Sequence, residues 1–129
     1  MRISIIVDAN PLISALIGGF AREVLFNHNF NFITTEFTIK EVEKYLPYIA
    51  GKTELPIGYI KLQLGKIPLT ILSEEFYRDA IPRAKPLIKD SCDIDILALA
   101  LFKNCPLWSE DKNFEGIKKI VLVKTKDFV

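Results

Sequence analysis

Four acidic residues occupy positions where a strand is predicted to end or a helix to begin. They are Asp8, Glu41, Asp93 and Asp111. Carboxylates gathered without basic partners repel one another, and a hard divalent cation such as Mg²⁺ or Mn²⁺ relieves that repulsion because it prefers oxygen ligands. A site of this kind can activate water and clamp a phosphodiester. We therefore predict an oxygen-ligated metal site, in which the neighbouring Asn10 and Ser109 orient ligands or water.

Each of these acids also has an ordinary structural explanation. Glu41 stands three residues after Thr38 and would complete a capping box at the start of a helix. Asp93 would be a favourable charge in the first turn of a helix, and Asp8 and Asp111 suit the turns that follow strands. Four separate segments that deliver acids to one edge favour the metal site over four unrelated turns.

Histidine and cysteine offer no alternative metal site. Cys92 and Cys105 lie 13 residues apart and flank a predicted helix, which at about 1.5 Å per residue holds them beyond disulfide reach, so reduced thiols are expected. His28 is the only histidine, so the chain cannot supply a Cys/His zinc set. Its polar neighbours Asn27 and Asn29, at a predicted helix end, do not favour a catalytic base. Any metal must therefore be bound by oxygen.

Strands that alternate with helices are predicted to carry the acidic side chains. Predicted strands cover residues 3–7, 30–34, 69–72, 106–109 and 120–123, and predicted helices cover 11–17, 21–28, 38–48, 55–67, 73–81 and 93–102. Such alternation implies right-handed crossovers, a mostly parallel sheet and an α/β/α arrangement of three layers. The carboxyl ends of the strands in such a sheet face one crevice, where Asp8 and Asp111 are expected.

The apolar residues predict the core and one further surface. The helix at residues 93–102 is nearly wholly apolar and belongs in the core, and Trp108 and Phe102 lie in apolar runs where a core position is favoured over base stacking. Pro47 is expected to end or bend the third helix, with a loop at residues 51–53. Exposed apolar side chains of the helical hairpin at residues 45–67 would form a partner groove or a dimer face.

Length and composition indicate one ordered domain spanning residues 1–129. Half of the residues are hydrophobic and 26% are charged, which excludes a disordered chain. The net charge of +1 gives no overall basic field, so a nucleic acid would be met only by local lysines and arginines, which are denser in the C-terminal half. No apolar run reaches the roughly 18 residues of a membrane span, and a cytoplasmic location is expected.

Four short stretches resemble the motifs of the PIN-domain ribonuclease family, which includes the VapC-type toxins of toxin–antitoxin pairs. They are residues 6–10 (IVDAN), 38–42 (TIKEV), 93–100 (DIDILALA) and 107–114 (LWSEDKNF). The resemblance spans nearly the whole chain, and the order and spacing of the motifs make it fairly specific. The strongest part is the apolar helix that leads to the stretch at residues 107–111.

The resemblance implies a metal-dependent endoribonuclease that uses Mg²⁺ or Mn²⁺. The acidic positions of the family fall on Asp8, Glu41, Asp93 and Asp111, and the second motif, which carries Glu41, is the most variable one. Asp95 lies about 200° further round an ideal helix than Asp93, so both are not expected to bind one ion. Asp90 is expected to be a loop or capping residue.

The resemblance also implies partners for the protein. RNA would be the substrate, a separate antitoxin protein would be the inhibitor, and a homodimer is expected. An antitoxin helix would lie on the hairpin at residues 45–67 and extend a basic side chain toward Asp8 and Asp111. The alternatives are an orphan RNA-processing nuclease, an inactive RNA-binding or protein-binding module of the same fold, and a receiver-like signalling domain with Asp8 in an acidic pocket.

Overall fold

A parallel five-stranded sheet forms the centre of the protein, which is described here by a computed structural model of residues 2–129. The strands are β1 (Ile3–Val7), β2 (Phe30–Thr35), β3 (Leu69–Leu72), β4 (Leu107–Trp108) and β5 (Leu122–Val123). Their order is β3-β2-β1-β4-β5, and every neighbouring pair is parallel. The prediction of a mostly parallel sheet is therefore confirmed.

Helices cover both faces of this sheet. Among the described residues they are α1 (Ala9–Ile17), α2 (Ala21–Leu25), α3 (Glu36–Lys44), α4 (Leu46–Thr53), α5 (Ile57–Lys66), α6 (Ile81–Ala84) and α7 (Ile94–Lys103). Successive side chains of a strand point to opposite faces, so Ile5 and Val7 of β1 pack with Leu12 of α1, whereas Ile6 packs with Leu97 of α7. Two hydrophobic cores separate the three layers, which confirms the predicted α/β/α architecture.

The strand order places a crevice beside β1. From β1 the chain moves outward to β2 and β3, and then returns on the other side of β1 as β4 and β5. Ile6 and Val7 pair with Leu107 and Trp108, so the carboxyl ends of β1 and β4 lie next to each other. This reversal of strand order is where open α/β sheets bind their ligands.

The start of α3 differs from the prediction. The helix begins at Glu36, and its N-cap is Thr35, whose hydroxyl accepts a 2.9 Å hydrogen bond from the backbone N–H of Thr38. The two hydroxyls also lie 2.7 Å apart in the protein interior, which fixes Thr38 inside the first turn. The predicted cap at Thr38 was therefore wrong, and Glu41 is not the partner of a capping box.

Two further segments also differ from prediction. Residues 51–53 were predicted as a loop but belong to α4, where Pro47 occupies the first turn, a position that needs no N–H, and Leu46 and Ile49 are buried. Residues 73–81 were predicted as one helix but form two short 3₁₀ turns, Glu74–Phe76 and Arg78–Ala80, before α6 begins.

Of the two aromatic residues predicted to lie in the core, one is buried and the other is exposed. Trp108 is fully buried, packs between Phe32 and Phe128, and donates a 3.1 Å hydrogen bond from Nε1 to Oγ1 of Thr125. Phe102 is 47% exposed, so its predicted core position was wrong; it lies in the last turn of α7, after the buried residues 96–100. No helix within residues 2–129 combines the length and apolarity needed to cross a membrane.

Candidate metal centre

Asp8 lies at the carboxyl end of β1 and is held from both sides. Its backbone N–H donates a 3.0 Å hydrogen bond to the carbonyl oxygen of Trp108 in β4. Its side chain is buried, and Oδ2 accepts a 2.7 Å hydrogen bond from the hydroxyl of Ser109. In the adjacent strand β2, the hydroxyl of Thr34 donates a 2.8 Å hydrogen bond to the carbonyl oxygen of Val7, which fixes the end of β1.

Ser109 links Asp8 to the segment that follows β4. Its buried hydroxyl donates to Asp8 and accepts a 3.0 Å hydrogen bond from the backbone N–H of Asp111. Asn10 holds the same segment from another direction, because its Oδ1 accepts a 3.2 Å hydrogen bond from the N–H of Glu110. Ser109 therefore orients a carboxylate directly, whereas Asn10 orients backbone.

Asp93 ends a 3₁₀ turn, Ser91–Asp93, that leads directly into α7. Asp90 begins this turn, and its Oδ1 accepts a 2.9 Å hydrogen bond from the N–H of Cys92, as expected of a capping residue. The buried Asp93 side chain accepts a 3.1 Å hydrogen bond at Oδ2 from the side-chain amide of Asn113. Asp93 thus stands where a buried helix begins, facing the ends of β1 and β4.

These elements bring three of the four predicted acids together. One carboxylate oxygen from each of Asp8, Asp93 and Asp111 lies within 4.8 Å of the others. They line a cleft of about 280 Å³, whose wall also includes Glu41 and Tyr45. Glu41 therefore shares the cleft but is not part of the three-carboxylate cluster.

The cluster carries negative charge without a counter-charge. The ion pairs among residues 2–129 are Arg78 with Glu74 and Lys124 with Glu115, and both lie outside the cluster. Burial raises the pKa of Asp8, an effect that the hydrogen bond from Ser109 opposes and the charge of Asp111 reinforces.

Burial also raises the pKa of two further carboxylic acids that line the cleft, Asp93 and Glu41. Burial is the main cause that raises the pKa of Asp93 to about 6. The hydrogen bond from Asn113 lowers this pKa, and the charges of Asp111 and Asp8 raise it further. Burial raises the pKa of Glu41 to about 7, and the charges of Asp8 and Asp93 add to this effect. Without a cation, each ionised form is therefore disfavoured.

The donor set fits a hard divalent cation. Three carboxylate oxygens at the distances above can enter one octahedral coordination sphere of Mg²⁺, in which ligands lie about 3 to 4 Å apart, after small movements. Cys92 also lines the cleft, but it lies outside the group of three carboxylates, and the charge of Glu41 raises the pKa of its thiol. The cluster supplies only oxygen ligands, which favours Mg²⁺ or Mn²⁺ over zinc.

Two other candidate residues lie away from the cluster. The carboxylate of Asp95 accepts a hydrogen bond from the buried hydroxyl of Tyr77 and lines a different cleft, with Glu36 and Lys40. His28 is exposed in the turn before β2, at the opposite edge of the sheet from the cluster. Neither side chain is placed to act on a ligand of the three carboxylates.

Asn113 is the one residue of this centre that sequence reasoning missed. Its side chain binds Asp93, and its backbone N–H donates a 2.9 Å hydrogen bond to Oδ1 of Asp111. The signal for the second contact was present, because an aspartate commonly accepts from the backbone N–H two residues later in a turn. No local pattern indicated the contact with Asp93, 20 residues earlier.

Comparison with known proteins agrees with this architecture. The family model described as PIN domain matches residues 6–127. No curated protein matches the chain. Among solved structures, PAE2754 from Pyrobaculum aerophilum is similar with a TM-score of 0.71 at 15% identity, covering 98% of this chain and 86% of that one.

Two other solved structures are also similar to this chain. One is VapBC2 from Rickettsia felis bound to a DNA fragment from their promoter, with a TM-score of 0.66 and 18% identity over 95% of this chain and 98% of that one. The other is a toxin–antitoxin complex from Klebsiella pneumoniae, with a TM-score of 0.65 and 21% identity, covering 90% of this chain and 94% of that one. At these identities the structures show a shared fold, and the family model covers nearly all of the sequence. The chain belongs to the PIN domain family.

Proposed function

We propose that this protein is a metal-dependent endoribonuclease that hydrolyses phosphodiester bonds of RNA. The observation that carries the proposal is the cluster of Asp8, Asp93 and Asp111, whose carboxylate oxygens lie within 4.8 Å at the carboxyl edge of the sheet of a PIN domain. These three residues would hold Mg²⁺ or Mn²⁺. The bound ion would supply an activated water and neutralise charge on the phosphate.

The remaining groups of the cleft have roles that follow from their contacts. Ser109 holds Asp8 and the backbone of Asp111 in place. Glu41 lines the same cleft, where its carboxylate would accept a proton from the attacking water. Direct ligation of the ion by Glu41, as the family resemblance implies, stays a prediction.

An RNA cleavage assay tests this function. Purified protein should cleave RNA in Mn²⁺ or Mg²⁺ and stop when the metal is chelated. Asp8→Asn and Asp93→Asn should each lower the cleavage rate at least about 100-fold, because each removes a ligand charge while conserving shape. Asp79→Asn, at an exposed position outside the cleft, is the matched control. Undiminished cleavage by both active-site variants would remove the assignment.

We further propose that this domain is the toxin of a toxin–antitoxin pair, and that residues 1–129 act as one cytoplasmic nuclease domain. The support is the similarity of fold to VapBC2 and to a second toxin–antitoxin complex. An antitoxin protein would then be its partner, and a homodimer is the expected assembly. An orphan RNA-processing nuclease shares the same site and differs only in lacking that partner.

An inactive binding module is the second candidate function. The same carboxylates could bind an ion that orders the cleft without any cleavage of RNA. Mn²⁺ binding together with intact RNA after long incubation would favour this candidate, and it would exclude the nuclease.

A further inference from the structure

Asn113 lies in a short 3₁₀ turn, Lys112–Phe114, that follows β4 and is capped by Asp111. The turn is anchored by Phe114, which is 1% exposed and packs in the core beneath α7. From this fixed position Asn113 makes two contacts with the metal centre. Its backbone N–H reaches Oδ1 of Asp111 at 2.9 Å, and its side-chain Nδ2 reaches Oδ2 of Asp93 at 3.1 Å.

These contacts complete a pattern that all three carboxylates share. One oxygen of each accepts a hydrogen bond from an uncharged donor: Asp8 from Ser109, and Asp93 and Asp111 from Asn113. The other oxygens of Asp93 and Asp111 are then the ones left for an ion. Each of these two residues can therefore contribute one ligand atom without breaking a protein hydrogen bond.

That arrangement limits the number of ions that the centre can hold. Two-metal sites place their ions about 3.5 to 4 Å apart, and a carboxylate joins the ions by giving one oxygen to each. The Asn113 amide occupies Oδ2 of Asp93 with an N–H donor, which repels a cation. The same holds for Oδ2 of Asp8, which accepts from Ser109, and for Oδ1 of Asp111, which accepts from the backbone N–H of Asn113. No carboxylate of the cluster therefore has both oxygens free to bridge two ions.

We propose that Asn113 is a positioning residue that holds Asp93 and Asp111 in one arrangement and restricts the centre to a single divalent ion. The inference rests on the proposed metal centre and goes beyond it, because it assigns a stoichiometry and names the side chain that sets it. An aspartate at this position would remove the donor from Asp93 and add a carboxylate, and so would open the bridging position.

Calorimetric titration of the full chain with Mn²⁺ tests the proposal. Wild-type protein should bind one Mn²⁺ per chain, and Asn113→Asp should bind two. Asn113→Ala should still bind one, with affinity lowered about 10- to 100-fold, the range seen when a residue that orients metal ligands is removed. Asn29→Asp adds the same charge at an exposed turn on the opposite edge of the sheet and should behave as wild type.

Electron paramagnetic resonance gives a second readout that does not depend on RNA cleavage. Two Mn²⁺ ions held by Asn113→Asp should be spin-coupled, whereas wild type should show an isolated ion. Two ions in wild type, one ion in Asn113→Asp, or unchanged affinity in Asn113→Ala would each overturn the role of Asn113. If Asn113→Asp does not fold, the wild-type stoichiometry and the Asn113→Ala affinity decide. A wild type that binds one Mn²⁺ but leaves RNA intact overturns the nuclease function and supports the stoichiometry.

Discussion

At the scale of single residues, the charge of Asp111 matters in opposite ways without and with metal. That charge raises the pKa of Asp8 and of Asp93, so it destabilises the metal-free fold. Asp111→Asn keeps the oxygen that accepts from Asn113, and should leave the metal-free protein equally stable or up to about 1 to 2 kcal/mol more stable.

Mn²⁺ should reverse that order. At a hundredfold excess over its dissociation constant, the ion should add roughly 2.7 kcal/mol to the free energy of unfolding of wild type, and much less to that of Asp111→Asn. Melting temperatures across a Mn²⁺ titration measure the difference, with Asp79→Asn as the control for the loss of a charge. Equal shifts in all three proteins would exclude Asp111 as a ligand.

The free energy of unfolding of the metal-free protein should depend on pH through Asp93. Its pKa rises from 3.8 in the unfolded chain to about 6 in the metal-free fold, so the folded protein binds more protons between these values. This carboxyl therefore costs no stability below pH 3.8 and lowers the free energy of unfolding progressively as the pH rises through about 6.

Comparison with Asp93→Asn isolates this contribution from that of the other carboxylates. Urea unfolding in the presence of a chelator should show the variant gaining stability relative to wild type as the pH rises from about 4 to about 8. A stability difference that does not change over this range would show that Asp93 is not destabilised by its surroundings. Saturating Mn²⁺ should reverse the sign of the difference at the upper end, because ligands bind metal deprotonated.

At the scale of elements, a partly buried hydrogen bond outside the metal centre links α7 to the segment before α6. Tyr77, in the segment between β3 and α6, donates from its hydroxyl to Asp95 in the first turn of α7, immediately after Asp93. Tyr77 is 1% exposed, and burial raises the pKa of its phenol, so the proton stays on the tyrosine.

Tyr77→Phe should therefore cost about 1 to 3 kcal/mol of unfolding free energy, because it leaves a carboxylate without its donor. Urea denaturation measures this cost, and Tyr59→Phe, which is half exposed on α5, is the control. If the two variants were equally stable, the Tyr77 hydroxyl would have no part in holding α7.

The elements also show where sequence reasoning succeeds and fails. Strands β1 and β3 were predicted with their observed bounds, because runs of β-branched and aliphatic residues end at polar residues. The start of α3 was missed because Thr35 and Thr38 are both good caps, and only their mutual hydrogen bond in the folded protein decides between them. The helical state of residues 51–53 comes from burial of Leu46 and Ile49, which local propensity does not contain.

The candidate site shows the same division. Asp8 and Asp111 could be placed together in advance because parallel strands bring their carboxyl ends to one edge, and Asp93 because a buried helix must begin near that edge. Asn113 could not be placed beside Asp93, because that contact depends on how Phe114 seats the turn in the core. Long-range contacts of single side chains are the part that composition and periodicity do not encode.

At the scale of the whole molecule, the α4–α5 hairpin presents an apolar outer face. Leu46, Ile49 and Ile60 are buried in the hydrophobic core that they share with α1, so the hairpin does belong partly to the core. Six large apolar or aromatic side chains on its outside are 41% to 67% exposed. They are Tyr45, Tyr48, Leu55, Ile57, Tyr59 and Leu62. We name these six residues the hairpin face, and its apolar character favours an interface with the proposed antitoxin.

Leu62→Asp tests that interface, because Leu62 is 67% exposed and its replacement should change stability by no more than about 0.5 kcal/mol. Co-expression with the product of the adjacent reading frame should give a complex for wild type and none for this variant. Val121→Asp, at a similarly exposed residue outside the hairpin face, should still form the complex. A complex that survives Leu62→Asp would place the antitoxin elsewhere.

The pairing of β1 with β4 also decides when the three-carboxylate centre can form during synthesis of the chain. Ser109 and Asp8 are 101 residues apart in sequence, yet their contact is part of the centre itself. Contacts of such long range form late in folding because a long loop must close first. A nascent chain on the ribosome that ends before β4 carries Asp8 and Asp93 but lacks Ser109, Asp111 and Asn113. The centre therefore cannot assemble until residues 107–114 have been translated and have left the exit tunnel.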